Sequence, residues 1–538
     1  MKGSNRKKTA VLSTLVLSSL LAAACGNNNA NNAASSAPAT AGGSASSTAS
    51  AAAQIDNSKE VKLVGYLLGE APKGMPEVLE AVNAKLKQDV NATLELNYIG
   101  WGDIASKYPL VLASGEDVDF IFTADWNYYI SEANKGAFMP LNEEMFKTYM
   151  PNYYAKQDPA AYKAAEVNGT QYMIPTTTPD RKVNVMVLRK DVMEKAGLTN
   201  PTKISELEPY FATIKKDYPD MIPLNLDSQY DLPTPFINLV REQYAYGAAP
   251  FDSGDPSSVG VTTDIEDPTG KILHFWDEPA ASAMKSAANT MKGWYDAGYV
   301  NKNPFSNKVR SKDNFCEGQT GVAFGNSLDI QPTLATCANK GVETYIIPTL
   351  TPSGHSSANS WLNNGVAIAA NSKNPERALQ VLDRLMENEE YAMLVYYGIE
   401  GKNYTLTADG KLGLPEGVTQ ETNTFPADSS GFWFVDKDFT KPSVTWTNEY
   451  IELNNKVKDY LVPDTYIGFS FNSENVKAET ANLKSVAAQY FLPITVGAVK
   501  DVEGAFNTLF DKMKSAGVEK VKTEVEAQAS AFLANKGQ

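Results

Sequence analysis

Strand and helix patterns alternate in the first third of the chain after residue 60. Residues 61–67 are largely apolar and predict a strand, and apolar residues then recur at helical spacing over 78–86. Residues 92–99 alternate apolar with polar positions and predict a second strand, and 118–122 predict a third. Strands that alternate with helices indicate parallel βαβ units, so the pattern predicts an α/β domain.

The same patterns return later in the chain. Residues 183–188, 321–324 and 365–370 predict further strands. Residues 279–297 predict an amphipathic helix, and residues 502–516 predict another that stops at Gly517. In open α/β sheets, ligands bind beyond the carboxyl ends of the strands, so the loops after the predicted strands are the first places to look for a site.

The first 54 residues differ from the rest in composition. Basic residues at positions 2, 6, 7 and 8 precede an apolar run over 10–21, which predicts a secretory signal peptide of residues 1–24. The run is shorter than the roughly 20 apolar residues that a membrane-spanning helix needs. Residues 25–54 are mainly Asn, Ala, Ser and Gly, and this composition predicts a disordered tether.

The residues around Cys25 resemble the lipobox of bacterial lipoproteins. The sequence LAAACG at 21–26 places small residues before the cysteine, although leucine stands one position earlier than is usual in that family. The resemblance implies cleavage before Cys25, lipidation of its sulfur, and anchoring at the outer face of the cytoplasmic membrane of a Gram-positive-type bacterium. The alternative is an ordinary secretory signal with an incidental cysteine.

Length, charge and cysteine count narrow the possibilities. A chain of 538 residues exceeds the size of one hydrophobic core, and its net charge of -15 argues against nucleic acid or anionic lipid as a partner. Cys316 and Cys337 form either a disulfide outside the cell or two separate buried thiols. The two histidines lie far apart without a zinc-binding spacing, and no Asp-x-Asp-x-Asp-Gly calcium pattern is present, so we expect no metal site and no cofactor, with a structural metal ion in a loop left open.

Several segments carry a family resemblance when they are taken in order. They are LASGEDVDF at 112–120, GTQYMIP at 169–175, LRKDVMEKAGL at 188–198, EGQTGVAF at 317–324, YGIEGKNY at 397–404, and the C-terminal stretch 509–532. Together they resemble the extracytoplasmic solute-binding proteins of ABC importers, and in particular the sugar-binding family that includes maltose-binding protein. The last two segments look like those of a Firmicute subgroup of large lipoproteins tied to the uptake of complex oligosaccharides.

The resemblance implies a two-lobed α/β fold of the type II periplasmic-binding-protein class. Each lobe is expected to hold a mixed, mainly parallel sheet flanked by helices, with the ligand in a cleft between the lobes. By analogy, residues 55–182 and about 365–455 form the first lobe, and 183–364 and about 456–538 form the second. The implied protein is a monomer that delivers an oligosaccharide to the permease subunits of an importer and is not an enzyme.

Sugars present apolar ring faces and many hydroxyls, so their sites need aromatic platforms and polar side chains. Most of our candidates follow predicted strands or lie in polar loops: Trp101, Asp125, Trp126, Tyr230, Asp231, Asn326, Trp361, Asn363 and Glu400. Each has a structural alternative, because large aromatic residues usually pack in a core and Glu400 is placed to order its own turn. The Phe-Trp-Phe run at 432–434 is expected to be core rather than cleft.

Other functions stay open at this stage. Acidic residues such as Asp125 and Glu400 would also suit a polyamine, and a peptide is a further alternative. A secreted glycoside hydrolase needs two carboxylates about 5–10 Å apart, and acids are abundant here, but no segment resembles a hydrolase signature. A Ser-His-Asp hydrolase is disfavoured because no Gly-x-Ser-x-Gly elbow is present.

Overall fold

The computed structural model of the protein describes residues 55–228, 230–247, 260–420, 422–463, 465–469 and 471–536. The predicted signal peptide, the lipidation site Cys25 and the tether through residue 54 lie outside these residues. Within the described ranges, no helix is both long enough and apolar enough to cross a membrane.

The strands of the described residues form one five-stranded sheet, two three-stranded sheets, of which one is β10-β9-β8, and three two-stranded pairs. In chain order they are β1 Val61–Leu68, β2 Ala92–Ile99, β3 Phe120–Thr123, β4 Glu166–Val167, β5 Thr170–Gln171, β6 Met173–Pro175, β7 Asn184–Arg189, β8 Tyr246–Gly247, β9 Val261–Asp264, β10 Leu273–His274, β11 Val322–Asn326, β12 Thr344–Pro348, β13 Ser356–Ser357, β14 Gly365–Ile368, β15 Thr405–Leu406, β16 Leu412–Gly413 and β17 Leu461–Val462.

The helices alternate with these strands in the first part of the chain and dominate its end. They are α1 Met75–Val90, α2 Ile104–Ala113, α3 Tyr129–Asn134, α4 Glu143–Tyr149, α5 Pro151–Lys156, α6 Pro159–Ala164, α7 Lys190–Lys195, α8 Glu208–Asp217, α9 Thr234–Arg241, α10 Ala280–Asp296, α11 Ser311–Asn314, α12 Gln331–Asn339, α13 Pro375–Glu387, α14 Glu389–Tyr397, α15 Asn448–Tyr460, α16 Lys477–Val486, α17 Leu492–Thr495, α18 Val502–Ala516 and α19 Val518–Lys536.

Local chemistry explains why α18 lies where the sequence predicts it. The Asp501 carboxylate accepts a hydrogen bond from the Gly504 amide at 2.7 Å and so caps the helix start. Gly517 ends the helix at φ +98°, a left-handed conformation that glycine adopts without strain. Between these ends, Phe506, Leu509 and Met513 are buried, so one apolar face is committed to the core.

The first sheet has the strand order β2-β1-β3-β14-β6. Strand β1 pairs in parallel with β2 and with β3, whereas β14 runs antiparallel to β3 and β6. The predicted strands and the α/β class are therefore confirmed here. Because β1, β2 and β3 are parallel, their carboxyl ends lie at one edge, and the loops that follow them start from that edge.

The second sheet is entirely antiparallel, with the order β11-β7-β12. The expectation of a mainly parallel sheet is wrong for this part of the molecule. The connection from β7 to β11 passes through several helices and turns, whereas the single helix α12 joins β11 to β12, which both run antiparallel to the β7 strand between them. Of the two alternatives for the cysteines, Cys316 and Cys337 form a disulfide, which links the end of α11 to α12.

Separate hydrophobic cores lie against the two sheets. The first core includes Leu63, Phe120 and Val366, together with Leu379 and Leu382 of α13. The second core is built on β7, α8 and α10 and also takes in the buried faces of α18 and α19. A third cluster packs the helix α15 against the other face of β7 and against α12. The boundaries predicted for the two lobes stay a prediction.

Two chain segments cross between the sheets and are tied to each other. Residues 176–183 lead from β6 to β7, and residues 349–364 lead from β12 to β14. The Thr176 amide donates to the Asn364 carbonyl at 3.0 Å, and Asn364 Nδ2 donates to Asp180 Oδ2 at 3.1 Å. Asn359 Nδ2 also donates to the Asp180 carbonyl at 2.9 Å. These hydrogen bonds hold the two crossing segments side by side.

Candidate functional site

Two exposed tryptophans follow the carboxyl ends of parallel strands in the first sheet. Trp101 comes directly after β2, and Trp126 comes three residues after β3. Trp101 is 46% exposed and Trp126 is 38% exposed, which is unusual for the largest apolar side chain. The two indole centroids are 6.4 Å apart with an interplanar angle of 27°. The sheet topology therefore brings the two predicted residues together.

A third tryptophan joins them from a distant part of the chain. The Trp433 ring lies 5.5 Å from the Trp101 ring at 26°, and it meets the buried Phe122 edge-on at 5.5 Å and 89°. Trp433 Nε1 donates to the Asp428 carbonyl at 3.2 Å, which fixes the orientation of its ring. We call Trp101, Trp126 and Trp433 the tryptophan platform. Such a run of ring faces at a sheet edge can stack on flat or weakly polar ligand surfaces.

Glycines beside Trp101 allow this ring to sit close to the backbone. Gly69 follows β1 at φ +95°, and a β-carbon on it would lie 3.2 Å from Trp101 Nε1. A β-carbon on Gly100 would lie 2.5 Å from the Glu70 carboxylate. A larger residue at Gly69 would be strained at this φ and would press on the Trp101 ring, whereas at Gly100 the Glu70 side chain would have to move.

Asp125 and Trp126 are held by the second crossing segment. Trp126 Nε1 donates to the Asn363 carbonyl at 2.8 Å, and the Asp125 amide donates to the Leu362 carbonyl at 2.8 Å. The Asn363 side-chain oxygen in turn accepts from Lys182 Nζ at 3.1 Å. Three predicted residues, Asp125, Trp126 and Asn363, therefore form one hydrogen-bonded group beside the platform.

Burial raises the pKa of the Asp125 carboxyl from 3.8 to about 6, with the Trp126 amide, Lys182 and Asn363 opposing that rise. Lys182 is shared, because its Nζ also lies 2.9 Å from Asp180 Oδ2. Near neutral pH the site therefore presents a carboxylate, an amide and an ammonium group next to aromatic ring faces. This combination can both donate and accept hydrogen bonds around a stacked ligand.

A second polar group lies on the side of the second sheet. The Arg310 guanidinium lies over the ring of Tyr230, 4.5 Å from its centroid, and the Tyr230 ring is 46% exposed. Asp329 lies 3.5 Å from Arg310 and 3.0 Å from Lys312. We call Tyr230, Arg310, Lys312 and Asp329 the Arg310 cluster. Its cations and its one carboxylate offer charged hydrogen-bonding groups.

Asp231 and Asn326 form hydrogen bonds to Ser311 and Asp329, in the segments that carry this cluster. The buried Asp231 carboxylate accepts from the Ser311 amide at 2.6 Å, and burial raises its pKa from 3.8 to about 6. Asn326 Oδ1 accepts from the Leu328 and Asp329 amides at 2.9 and 3.1 Å, and the Asn326 amide donates to Asp329 Oδ1 at 2.7 Å. In this structure Asn326 orders its own turn, whereas Asp231 ties its loop to the start of α11.

A short path of contacts links the two groups. Lys182, which bonds to Asn363, is followed by Val183, whose amide donates to Ser327 Oγ at 3.2 Å. The Ser327 amide donates back to the Val183 carbonyl at 2.8 Å, and Asn326 precedes Ser327. The first crossing segment therefore connects the surroundings of the platform to those of the Arg310 cluster.

Trp361 and Glu400 lie outside both groups in the contacts described. Trp361 is half-buried in a single turn, Trp361–Asn363, whose start is capped by Ser360. Glu400 is exposed in a turn closed by the Gly401 amide, which donates to the Tyr404 carbonyl at 2.7 Å. Sequence reasoning also missed residues that the structure brings to the site: Lys182, Arg310, Lys312, Asp329 and Trp433. Within the described ranges, no group of three or more His, Cys, Asp or Glu side chains is placed to hold a metal ion.

Comparison with known families places this chain among binding proteins. A family described as bacterial extracellular solute-binding protein matches residues 69–392, which is more than half of the chain, and the chain therefore belongs to that family. A second family, described as a domain of unknown function, matches residues 465–534 and so covers the C-terminal helices α16 to α19. The helices matched by this second family pack into the second core.

Individual relatives agree with this assignment. The chain is 28% identical over 482 residues to a carbohydrate ABC transporter substrate-binding protein of Streptococcus pneumoniae, covering 88% of this chain and 91% of the relative. It is 24% identical over 379 residues to the polygalacturonan/rhamnogalacturonan-binding protein YtcQ of Bacillus subtilis, covering 68% and 71%. The crystal structure of the N-glycan transport solute-binding protein NgtS of S. pneumoniae superposes with a TM-score of 0.72 at 25% identity, over 89% of this chain and 100% of that one.

Proposed function

We propose that this protein captures an oligosaccharide between two lobes and delivers it to the permease of an ABC importer. The tryptophan platform carries the proposal, because three stacked indoles at one sheet edge offer ring faces of the kind that sugars need. The relatives named for carbohydrate, polygalacturonan and N-glycan binding support the same ligand class. The protein would act by binding and release rather than by turnover.

In this proposal the platform and the Arg310 cluster bind one ligand from two sides. The platform would stack on sugar rings, while Asp125, Asn363 and Lys182 bind hydroxyls beside it. Tyr230 and Arg310 would reach the ligand from the second sheet, with Asp231 and Asn326 holding their loops. Trp361 and Glu400 remain candidates for contacts at the margin.

A thermal-shift screen tests the ligand class first. The chain from residue 26 onward is mixed with oligosaccharides, peptides and polyamines, and ligand at 100 times its Kd should stabilise the fold by about 2.7 kcal/mol. A shift with an oligosaccharide supports the proposal. A shift only with peptides or polyamines would retain the binding protein and reject the sugar.

Calorimetric titration of variants then tests the platform itself. Trp126→Ala should weaken binding of the identified sugar at least tenfold, because a stacking face is lost. Trp276→Phe is the matched control, since Trp276 stacks on His274 and is not part of the platform. Equal losses in both variants would mean that general destabilisation, and not stacking, causes the effect.

We also propose that a lipid on Cys25 anchors the protein outside the cell as a monomer. The supporting observation is the LAAACG sequence with its preceding basic and apolar regions. Cys25→Ala should move the protein from the membrane fraction to the medium, while Cys316→Ala should leave the anchored fraction unchanged. Continued membrane association of Cys25→Ala would reject the anchor.

A further inference from the structure

The loop 302–310, between α10 and α11, exposes two apolar side chains next to the Arg310 cluster. Phe305 and Val309 are each 47% exposed, and among the residues that the structure describes Phe305 is the most exposed phenylalanine. Phenylalanine is among the residue types that are most often fully buried, so this exposure calls for a reason. Val309 directly precedes Arg310, whose guanidinium lies over the exposed Tyr230 ring. The loop therefore adds apolar surface at the side of the cluster.

Asn307 holds this loop in one shape. Its Nδ2 donates to the Leu226 and Val309 carbonyls at 3.0 and 3.1 Å, and its Oδ1 accepts from the Val309 amide at 3.1 Å. The Asn307 carbonyl accepts from the Ser228 amide at 2.9 Å, which joins the loop to the segment that carries Tyr230. A loop held in this way has little conformational freedom left to lose when a ligand binds, and this favours affinity.

The end of this loop lies against the end of β11. Ser311 directly follows Arg310, and its Oγ accepts from the Phe324 amide of β11 at 3.0 Å. The next residue, Lys312, lies 3.0 Å from Asp329, which comes three residues after β11. The loop therefore reaches the second sheet where β11 ends.

The end of β11 lies at the edge of the second sheet that the crossing segments reach. Asn326, the last residue of β11, pairs with Asn184, the first residue of β7 after the first crossing segment. In the first sheet, Gly365 at the start of β14 pairs with Thr123 at the end of β3 and with Pro175 at the end of β6. The crossing segments therefore join the edge that carries the loop to the edge from which the platform loops start.

The size and chemistry of this apolar surface fit a sugar ring better than a protein. A stable protein–protein interface buries about 800 Å² on each partner and uses about 20–30 residues a side. Phe305 and Val309, in contrast, are two side chains on one loop. A pyranose ring presents an apolar face that a single aromatic ring can cover. Asn303 and Ser306 are exposed on the same loop and can bond to hydroxyls at the rim of that face.

We propose that Phe305 and Val309 form an outer subsite for a terminal ring of the bound oligosaccharide. The inference rests on the proposed function and deepens it, because it names residues that set the preferred length of the sugar. Phe305 stacks on the apolar face of the terminal ring, and the neighbouring ring lies at Tyr230 and Arg310. An oligosaccharide too short to reach from the platform past Tyr230 leaves the subsite unused. Longer members of one series therefore bind more tightly than shorter ones, and the gain depends on Phe305.

Calorimetric titration with sugars of defined length tests the subsite. The probes are homo-oligosaccharides of two to six rings of glucose, mannose, galactose or N-acetylglucosamine, and the protein is the chain from residue 26 onward. Phe305→Ala should weaken binding of the longest bound member about fivefold to tenfold, and that of the shortest bound member less than about twofold. Phe305→Tyr keeps the ring and should retain the preference for length. Val309→Ala should cost about twofold for the longest member, and its matched control is Val444→Ala, at a valine that is 50% exposed beside β16.

Two results would overturn the subsite. One is an equal loss of affinity at every length in Phe305→Ala, which would make Phe305 a structural support of its loop. The other is an unchanged affinity at every length, which would leave the exposed ring to a protein partner or to a second copy of the chain. Thermal melts establish that each variant is folded.

Trp126→Ala tests the platform in the same titrations and should weaken binding at every length. Failure of the platform is therefore distinguishable from failure of the subsite, which affects only the dependence on length. Absence of binding of every probe by the unsubstituted protein would count against both.

Discussion

The tryptophan platform and the Arg310 cluster differ in composition and in the contacts that hold their side chains. The platform combines two exposed indoles at the carboxyl edge of parallel strands with the half-buried Trp433, and one backbone hydrogen bond each holds Trp126 and Trp433. The Arg310 cluster lies beside an antiparallel sheet and is held by ion pairs and capped turns. If both groups bind the ligand as proposed, we expect apolar contact from the first group to supply affinity and charged contacts from the second to supply selectivity.

The largest expected effect is the loss of the platform. Trp101→Ala combined with Trp126→Ala should weaken oligosaccharide binding by about two powers of ten, on the order of 3 kcal/mol, because apolar and stacking contact is lost. Calorimetric titration measures the change. An affinity within threefold of the original would show that the Arg310 cluster, and not the platform, dominates binding.

Removal of the disulfide tests how far the Arg310 cluster depends on its scaffold. Cys316 and Cys337 are 21 positions apart, and α11 before Cys316 carries Lys312. The double substitution to alanine should lower the free energy of unfolding by about 3 kcal/mol, as expected for a loop of this length. Urea unfolding measures it, and platform-dependent binding below the unfolding transition should hardly change. A large loss of binding would mean that the two groups are mechanically coupled.

Arg310→Gln probes the second group directly. The substitution removes the cation over the Tyr230 ring and one partner of Asp329. We expect a loss of about threefold to fivefold in affinity, as for the loss of one hydrogen bond to the ligand, which contributes about 0.5–1.5 kcal/mol. The loss should be larger for some oligosaccharides than for others if this cluster sets selectivity. Lys308→Gln, on a nearby exposed lysine that bonds to Ser228, is the control.

The smallest expected effect is a dependence on pH that separates Asp125 from Asp231. Both carboxyls have a pKa raised to about 6, but only Asp125 lies beside the platform. Affinity for a neutral sugar should rise a few-fold as the pH increases through 6, because an ionised carboxylate is the stronger acceptor. Asp125→Asn should remove this dependence and Asp231→Asn should keep it.

The same raised pKa has a consequence for stability with a definite sign. Between pH 4 and 6 the folded state retains a proton on Asp125 that the unfolded state has released, so the free energy of unfolding falls as the pH rises across this window. Asp125→Asn should remove the contribution of this single proton, so the slope of the free energy of unfolding against pH should become less negative. Urea unfolding at several pH values measures this slope.

The sequence predicts the first sheet better than the second. Periodicity alone identifies β1, α1, β2 and β3, since each buries an apolar face and the loops between them are short. It does not predict that β7 runs antiparallel to β11 and β12, because the direction of β7 relative to them depends on the long helical connection from β7 to β11. It also does not predict the disulfide, since cysteines in apolar segments fit a thiol equally well.

The individual site residues also differ in how far the sequence predicts them. Trp101 and Trp126 were predictable because they directly follow strands whose positions the sequence reveals. Trp433 was assigned to the core because it lies between Phe432 and Phe434, and both phenylalanines are indeed buried. Residues 432–435 form a turn in which the Val435 amide donates to the Phe432 carbonyl, so strand alternation does not predict the direction of the Trp433 side chain. Lys182 and Arg310 depend on contacts across the chain and carry no local signal.

The stacked indoles also make the protein its own optical reporter. Three of its seven tryptophans belong to the platform, and two ring pairs there lie 5.5 and 6.4 Å apart. Neighbouring chromophores at such distances couple electronically, so circular dichroism should contain a paired band that depends on their mutual angle. A sugar that binds on Trp101 as proposed should change both the angle between the rings and the quenching of indole emission. Uptake of the ligand should therefore be visible without any added label.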